Sequence, residues 1–314
     1  MFTVNDEQFG WEEIVSSAQI WGEWQPFLEE TRQSLACLRL AVKTGQLPAG
    51  VEMRQAATAF RYAHNLVSAE DARSWLARWE MTVDEWMNCL RGQLLRERWA
   101  DKLDQIVAAN PVSDTEVDQV VRRHAICADT LGLWAQKLAG HAAVVAKSGL
   151  LAVGGRSAGD VVAQIEAEFA AQSEQAVTPQ RLAAKIADHR LDWIRFDCRY
   201  VWFPLERIAR EAAFCVSEDG LTLDEVAYDA RSIVQQWNFY LDEVEAAARP
   251  YFLAAHQGDW LGPVKMLEGF PLFSIVAKQM PAADDPQIRE RAERAIIRSV
   301  IEQAMSEQVK WTAL

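Results

Sequence analysis

The sequence lacks several motifs that would each define a class of enzyme or metalloprotein. Its five cysteines are scattered, odd in number and without a Cys-x-x-Cys pair, which excludes a disulfide framework and a zinc knuckle. Its five histidines stand far apart, with no His-Glu-x-x-His spacing. A nucleophile elbow and a glycine-rich dinucleotide turn are also missing. We therefore predict no metal site and no cofactor.

The sequence contains fewer basic than acidic residues. Lys and Arg total 32 against 45 Asp and Glu, which gives a formal net charge of −13 at pH 7. A surface this acidic repels phosphate backbones and anionic lipids. The charge balance therefore predicts that nucleic acid is not a partner.

Long apolar runs are missing as well. No window approaches the apolar length that a membrane span needs, and the first residues lack a basic region followed by an apolar stretch. We therefore expect no membrane insertion and, by default, a cytoplasmic location.

Helix signals are abundant up to about residue 188. Capping boxes place a Ser or Thr three residues before an acidic residue, so that both side chains satisfy free amides of the first turn. Half of the residues are hydrophobic, enough for one large core or two modest ones. The capping boxes are Ser68 with Asp71, Thr82 with Glu85, and Ser113 with Glu116.

The pattern changes after residue 188. Residues 192–203 are rich in aromatic and β-branched side chains with partial alternation, which predicts a strand. A long helix begins at Pro286 and carries one apolar stripe. The elements predicted between them are a helix at 205–216, a short helix after 222, a strand within 234–241, a helix at 243–256, and strands at 262–267 and 270–277. The stripe consists of Ala292, Ala295, Ile296, Val300, Ile301, Ala304 and Met305.

The end of this region carries a specific motif. Residues 258–264 are Gly-Asp-Trp-Leu-Gly-Pro-Val, and residues 268–272 are Glu-Gly-Phe-Pro-Leu. Together they resemble the closing segment of the PpiC-type parvulin peptidyl-prolyl isomerases. Residues 208–230, with their Glu-Asp-Gly and Leu-Asp-Glu-Val-Ala, are similar to the first two helices of that family.

The helical part also has a likeness. Residues 54–61, 66–71, 75–76 and 81–86 are similar to the SurA-like N-terminal helices that precede such domains, so that the two regions cover a little under half of the chain. The resemblance implies an α+β fold that is mostly α. It implies a SurA-like helical domain at 1–188, a parvulin-like antiparallel sheet domain at 189–282, and a C-terminal helix at 283–314 that returns to the helical domain.

The resemblance also bears on activity. Parvulins twist a prolyl amide in an apolar cleft beside two histidines, and matching the motifs places Tyr200 and Pro271 at those two positions. The cleft's Phe would fall at Ala248 and its Met near Val244. Loss of both imidazoles and of the large apolar residue removes most of the cleft that catalysis would use. The resemblance therefore implies a degenerate member with no catalytic residue.

The aromatic residues of this region can line a groove or fill a core. Trp75, Trp79 and Trp86 lie on the apolar face of predicted helices and are assigned to the core. Strand residues that alternate on one face can instead accept a peptide. The candidate peptide-binding residues are Cys198, Tyr200, Trp202, Trp237, Ala248, Trp260, Pro271 and Phe273.

Three functions stay open at this point. The first is a peptide-binding chaperone or accessory subunit that holds a precursor or secreted peptide for a maturation enzyme or exporter, as the resemblance to parvulin-like proteins encoded beside such systems implies. The second is a divergent isomerase that uses Tyr200 and Cys198. The third is a structural subunit of a larger complex, with its tryptophan-rich faces buried against a partner.

Overall fold

The structure is a computed structural model that describes residues 1–151 and 154–312. The predicted α+β, mostly α fold class is confirmed, because helices dominate and two small antiparallel sheets accompany them. The chain divides into two compact units, Met1–Ser173 with Val300–Leu314, and Glu174–Ser299. Among the described residues, no helix is both long and apolar enough to cross a bilayer.

The first part of the chain is a series of helices. Their capping boxes form as predicted: the Ser68 hydroxyl accepts from the Asp71 amide at 3.0 Å, and the Asp71 carboxylate accepts from the Ser68 amide at 2.7 Å. Equivalent pairs start the helices at Val83 and Asp114. The helices are α1 (Trp11–Ile20), α2 (Trp24–Thr44), α3 (Gly50–Ala63), α4 (Ala69–Arg78), α5 (Val83–Arg98), α6 (Leu103–Ala109), α7 (Asp114–Cys127), α8 (Thr130–Lys147) and α9 (Ala158–Ala176).

Helix α8 is the centre of the first unit. Ala142 and Ala143 are fully buried, and Val144, Val145 and Ala146 after them are buried too. A run of five buried residues goes once round the helix, so the second half of α8 is covered on nearly every side. It packs against α1 and α7. This explains why its apolar residues show little periodicity along the sequence.

A three-stranded sheet in the first unit was not predicted. Strand β1 (Phe2–Val4) lies between β2 (Glu7–Phe9) and the last strand, Val309–Trp311, and both pairings are antiparallel. Phe2 stacks on Phe9 with ring centroids 4.9 Å apart. Strands of three residues are too short to show alternation, and one pairing joins the two ends of the chain.

The second unit contains a four-stranded antiparallel sheet. Its strands lie in the order β4 (Val234–Tyr240), β3 (Arg195–Val201), β6 (Leu272–Gln279) and β5 (Trp260–Leu261). The predicted order of strand, helix, helix, strand, helix, strand, strand is present. Its elements are α10 (Pro179–Asp188), β3 (Arg195–Val201), α11 (Glu206–Ser217), α12 (Leu223–Asp229), β4 (Val234–Tyr240), α13 (Arg249–Ala254), β5 (Trp260–Leu261), β6 (Leu272–Gln279) and α14 (Pro286–Gln308), and the strand Val309–Trp311 is β7.

Two of these elements differ from their predictions. Helix α13 starts at Arg249, not at 243, because Pro250 suits only a first turn and the Arg249 guanidinium binds the carbonyl oxygens of Val244 (2.9 Å) and Asp242 (2.8 Å). The strand predicted at 262–267 is not formed. The strand here is β5 at Trp260–Leu261, and it ends before Pro263, which has no N–H to donate to a ladder.

The two faces of the sheet carry separate cores. Helices α11 and α12 cover one face, where Val201, Phe203 and Leu272 are buried. Helix α13 covers the other, where Phe196 and Phe252 are buried. This second face holds the candidate site.

Helix α14 contributes to the core of each unit. Ile288, Ala292 and Ile296 are buried with residues of α10 in the second unit. Ala304 is buried in the first unit, where Ile301 lies against Gly140 of α8. The boundaries 1–188, 189–282 and 283–314 stay predictions, and Ala152, Val153, Ala313 and Leu314 within them lie outside the described residues.

Candidate functional site

Three aromatic residues meet on the α13 face of the sheet. The register pairs Tyr200 on β3 with Phe273 on β6, and Cys198 on β3 with Trp237 on β4. Alternate residues of a strand share a face, so these neighbouring strands place the rings side by side. We call Tyr200, Trp237 and Phe273 the aromatic cluster.

The rings of the aromatic cluster form a half-open surface. Their centroids are 5.6 Å apart for Tyr200 and Phe273, 6.2 Å for Trp237 and Phe273, and 6.4 Å for Tyr200 and Trp237. Phe273 is 1% exposed, whereas Tyr200 and Trp237 are half-buried. A ligand can therefore touch Tyr200 and Trp237, with Phe273 as their support.

The residues beneath the cluster belong to the core. Cys198 is 2% exposed and Ala248 is 1% exposed. Burial, with a smaller contribution from Asp197, raises the pKa of the Cys198 thiol to about 12. The thiol is therefore protonated at neutral pH and is a poor nucleophile.

The polar chemistry of the cluster is limited. The Tyr200 hydroxyl donates a hydrogen bond to Oε1 of Gln235. Gln235 was not among the predicted site residues, although it stands at the position that pairs with Tyr200 across the strands. Since its proton is engaged, the Tyr200 hydroxyl presents mainly an acceptor oxygen to a ligand.

Three predicted site residues lie outside the cluster. Trp202 donates from Nε1 to the Glu268 carbonyl at 3.2 Å, and its ring borders Gly269. Trp260 is 41% exposed on β5. Pro271 is buried, and its carbonyl accepts from the Val264 amide at 3.1 Å. Of the predicted set, the structure thus brings together Cys198, Tyr200, Trp237, Ala248 and Phe273.

Neither histidine of the second unit is in ring contact with the aromatic cluster. His189 follows α10, and its ring stacks on Trp193 with centroids 4.6 Å apart. His256 follows α13 and is exposed, with Nδ1 3.4 Å from an Asp259 oxygen. Across residues 1–151 and 154–312, no group of three His, Cys, Asp or Glu is arranged to hold a metal ion.

The outer edge of β4 is open beside the cluster. The Leu241 amide donates to the Ile194 carbonyl at 3.0 Å, which sets the alternation of the β3–β4 ladder. Gln236 and Asn238 accordingly direct their main-chain N–H and C=O groups outward. Both residues are exposed, and no described strand pairs with that side of β4.

Between Val234 and Asn238 this edge has none of the usual protection, whereas the ring of Tyr240 at its end is covered by Arg291 of α14. Exposed edge strands normally carry a charge, a proline or a bulge that prevents pairing with another chain. The ten residues between Arg231 and Asp242 contain no charged residue and no proline. That uncharged run was visible in the sequence, but only the order of the strands shows that it lies at an edge.

Comparisons with known proteins give structural neighbours alone. No protein-family model and no curated protein matches the chain. The peptidylprolyl isomerase PrsA from Bacillus anthracis matches at 15% identity over 68% of this chain and 96% of that chain, with a TM-score of 0.28. PrsA from Bacillus cereus matches at 14% identity over 79% of this chain and 83% of that chain, with a TM-score of 0.27.

A third match comes from the SurA-like chaperones PEB4 and Cj1289 of Campylobacter jejuni. Identity is 11% over 78% of this chain and 95% of that chain, with a TM-score of 0.18. At TM-scores this low, none of these superpositions assigns a function to this chain.

Proposed function

We propose that the protein is a chaperone-like peptide-binding protein that holds an extended segment of a client on the aromatic cluster and the outer edge of β4. The observation that carries the proposal is the position of half-exposed Tyr200 and Trp237 beside an open, uncharged strand edge. The chaperone role named for the Campylobacter jejuni proteins is thus proposed for this chain on its own geometry.

The edge would supply affinity that does not depend on sequence. An added strand pairs its main-chain groups with the outward groups of Gln236 and Asn238, as in other cases of strand addition. Every second side chain of that strand would then fall on the same face as Trp237. This arrangement favours clients with apolar residues at alternate positions.

The same site offers little for isomerisation. The barrier to rotation of a peptide bond is about 18–20 kcal/mol and comes from amide resonance. The Cys198 thiol is buried and protonated, and the Tyr200 proton is engaged by Gln235. These contacts support holding a chain in preference to rotating its amide.

Binding of a short labelled peptide, followed by fluorescence anisotropy, tests the proposal. The peptide is uncharged with apolar residues at alternate positions, and a matched peptide carries N-methyl groups on alternate amides. We expect N-methylation on the pairing edge to abolish binding, since it removes the donors that an added strand uses. Equal binding of both peptides would rule out strand addition.

The cluster is tested separately with Trp237→Ala. We expect affinity to fall by at least about tenfold, the usual effect of truncating an aromatic anchor. Tyr62→Ala, a 72% exposed residue of the first unit, is the control and should bind as the unaltered protein does. Circular dichroism confirms that each variant is folded. Unchanged affinity of folded Trp237→Ala would remove the cluster from the proposal.

A protease-coupled prolyl isomerisation assay separates the isomerase alternative. We expect no rate above buffer at micromolar protein. A clear rate that Tyr200→Phe abolishes would instead favour the divergent isomerase.

We extend the proposal to a partner maturation enzyme or exporter and to a cytoplasmic location, both of which come from the resemblance and the composition. Co-purification with the products of neighbouring genes, together with cell fractionation, tests both. Recovery in a membrane or extracellular fraction without any such partner would count against this extension.

A further inference from the structure

A cavity lies between α11 and α12, on the face of the four-stranded sheet opposite the aromatic cluster. Its volume is about 280 Å³, and its walls are mainly apolar, with Ile208, Leu221 and Val226 among them. We call it the α11–α12 groove. It does not share a lining residue with the aromatic cluster.

Two carboxylates line the groove. Glu211 comes from α11 and Asp229 from α12. The described residues provide neither of them with an ion-pair partner. Arg210 binds Glu206 at 2.6 Å. Arg207, one turn before Glu211, and Arg231, two residues after Asp229, form no ion pair with either carboxylate. The groove thus combines apolar walls with negative charge that is not neutralised.

Cys215 lines the groove, and the negative charge affects its thiol. Burial and the carboxylates of Asp219, Glu211 and Asp229 raise the pKa of its thiol. Phe214, beside it on α11, is 62% exposed. An exposed apolar ring next to an apolar groove extends the surface that a partner can cover.

We propose that the α11–α12 groove binds a basic amphipathic segment of another polypeptide, whose apolar side chain enters the groove while flanking Lys or Arg residues pair with Glu211 and Asp229. Charge complementarity selects this occupant, because opposite charges across an interface favour the correct partner and like charges reject others. A second copy of this chain, with its net charge of −13, fits the groove poorly.

This inference goes beyond the proposed function, since it concerns the opposite face of the sheet and a client of different chemistry. An uncharged strand is expected on β4 and a basic amphipathic segment on the α11–α12 groove. Variants at Trp237 and at Glu211 therefore test the two sites independently.

Cys215 provides the readout. It is half-exposed, whereas the other four cysteines are buried, so that a thiol reagent modifies Cys215 first. The probe is an amphipathic peptide of Leu and Lys, and the control peptide has Glu in place of each Lys. We expect the Leu/Lys peptide to slow modification of Cys215 by at least about fivefold and the Leu/Glu peptide to leave it unchanged.

A charge-neutral variant shows where the peptide binds. Glu211→Gln with Asp229→Asn should weaken binding of the Leu/Lys peptide by about tenfold, measured by calorimetry. Asp118→Asn with Glu174→Gln changes net charge equally at exposed positions outside the groove and should have little effect.

Three results would overturn the proposal: equal weakening by both double variants, protection of Cys215 by the Leu/Glu peptide, or binding of the Leu/Lys peptide without protection. A thermal melt shows that both double variants are folded. The proposal is supported if the Leu/Lys peptide no longer protects Cys215 in the Glu211→Gln, Asp229→Asn variant but still protects it in the Asp118→Asn, Glu174→Gln variant.

Discussion

His124 is a buried ionisable residue of the first unit, 8% exposed on α7. Burial, and then the positive charges of Arg96 and Arg123, lower its pKa from 6.5 to about 4. It borders a cavity of about 130 Å³ among α2, α5 and α7. The folded protein therefore keeps this imidazole neutral, and stability becomes linked to pH.

The sign of that linkage follows from which state binds the proton first. In the unfolded chain His124 takes up a proton near pH 6.5, whereas in the folded chain it does so only near pH 4. The free energy of unfolding therefore loses nothing to His124 above about pH 6.5. As the pH falls from there toward about 4, it decreases by on the order of 3 kcal/mol. Urea unfolding across this range should show the loss in the unaltered protein and a smaller one in His124→Gln. His256→Gln, at an exposed site, is the control, and an equal pH dependence in all three proteins would contradict the prediction.

Gly269 occupies a position that a larger residue cannot share. Its φ is +152°, and a Cβ there would lie 2.5 Å from the Phe203 carbonyl oxygen. That oxygen is held in place, since it accepts from the Phe270 amide at 2.8 Å.

We expect Gly269→Ala to lower the free energy of unfolding by about 1–3 kcal/mol through backbone strain, with a further loss from the clash. Gly220→Ala is the matched control, because Gly220 has φ +70° and open space around it. Its cost should be about 1–2 kcal/mol. Denaturant titration compares the two, and a smaller loss at Gly269 than at Gly220 would refute the argument.

Helices α8 and α14 approach closely at Gly140. A Cβ at this position would lie 2.7 Å from Cγ2 of Ile301 and 3.5 Å from Sδ of Met305. Because Ile is branched at Cβ, its Cγ2 cannot rotate away freely within a helix. Close contact between these two helices therefore requires a residue without a side chain.

Gly140→Ala should destabilise the protein by about 1–3 kcal/mol, the usual cost of overpacking, although Gly→Ala in a helix ordinarily stabilises by up to about 1 kcal/mol. In a protein that already carries Ile301→Ala, the Gly140→Ala substitution should cost less than it does in the unaltered protein. Gly159→Ala in α9, where nothing lies within 4 Å, should not destabilise. Thermal and urea unfolding measure these differences, and stabilisation by Gly140→Ala would show that the helices are not in tight contact.

The starts of helices can be predicted from the sequence, whereas the pairing of strands that are distant along the chain cannot. Capping boxes act within one helical turn, so Ser68 and Thr82 mark helix starts in the sequence and in the structure. The β1–β7 pairing joins residues at opposite ends of the chain, beyond the reach of any window. The meeting of Tyr200 with Phe273 follows from the strand register, and the open edge of β4 follows only from the sheet order.

The whole molecule is organised around separate cores that one helix helps to build. Ile296 of α14 is 2% exposed and packs with Leu182 and Trp193 in the second unit. Ala304, two turns later, is fully buried in the first unit. Cores of this kind often open as separate cooperative units, each with its own stability.

Substitutions along α14 should therefore act on one unit at a time. Ile296→Ala should cost about 2–5 kcal/mol and should speed hydrogen exchange of amides in α10 while leaving α8 protected. Ile301→Ala, which lies against Gly140, should do the reverse. Mass-spectrometric exchange at peptide resolution distinguishes the two responses. The prediction would be wrong if each variant lowered protection equally in α8 and α10. Both cores would then open in one cooperative transition, because only such a transition lets a substitution in one core lower the protection of amides in the other.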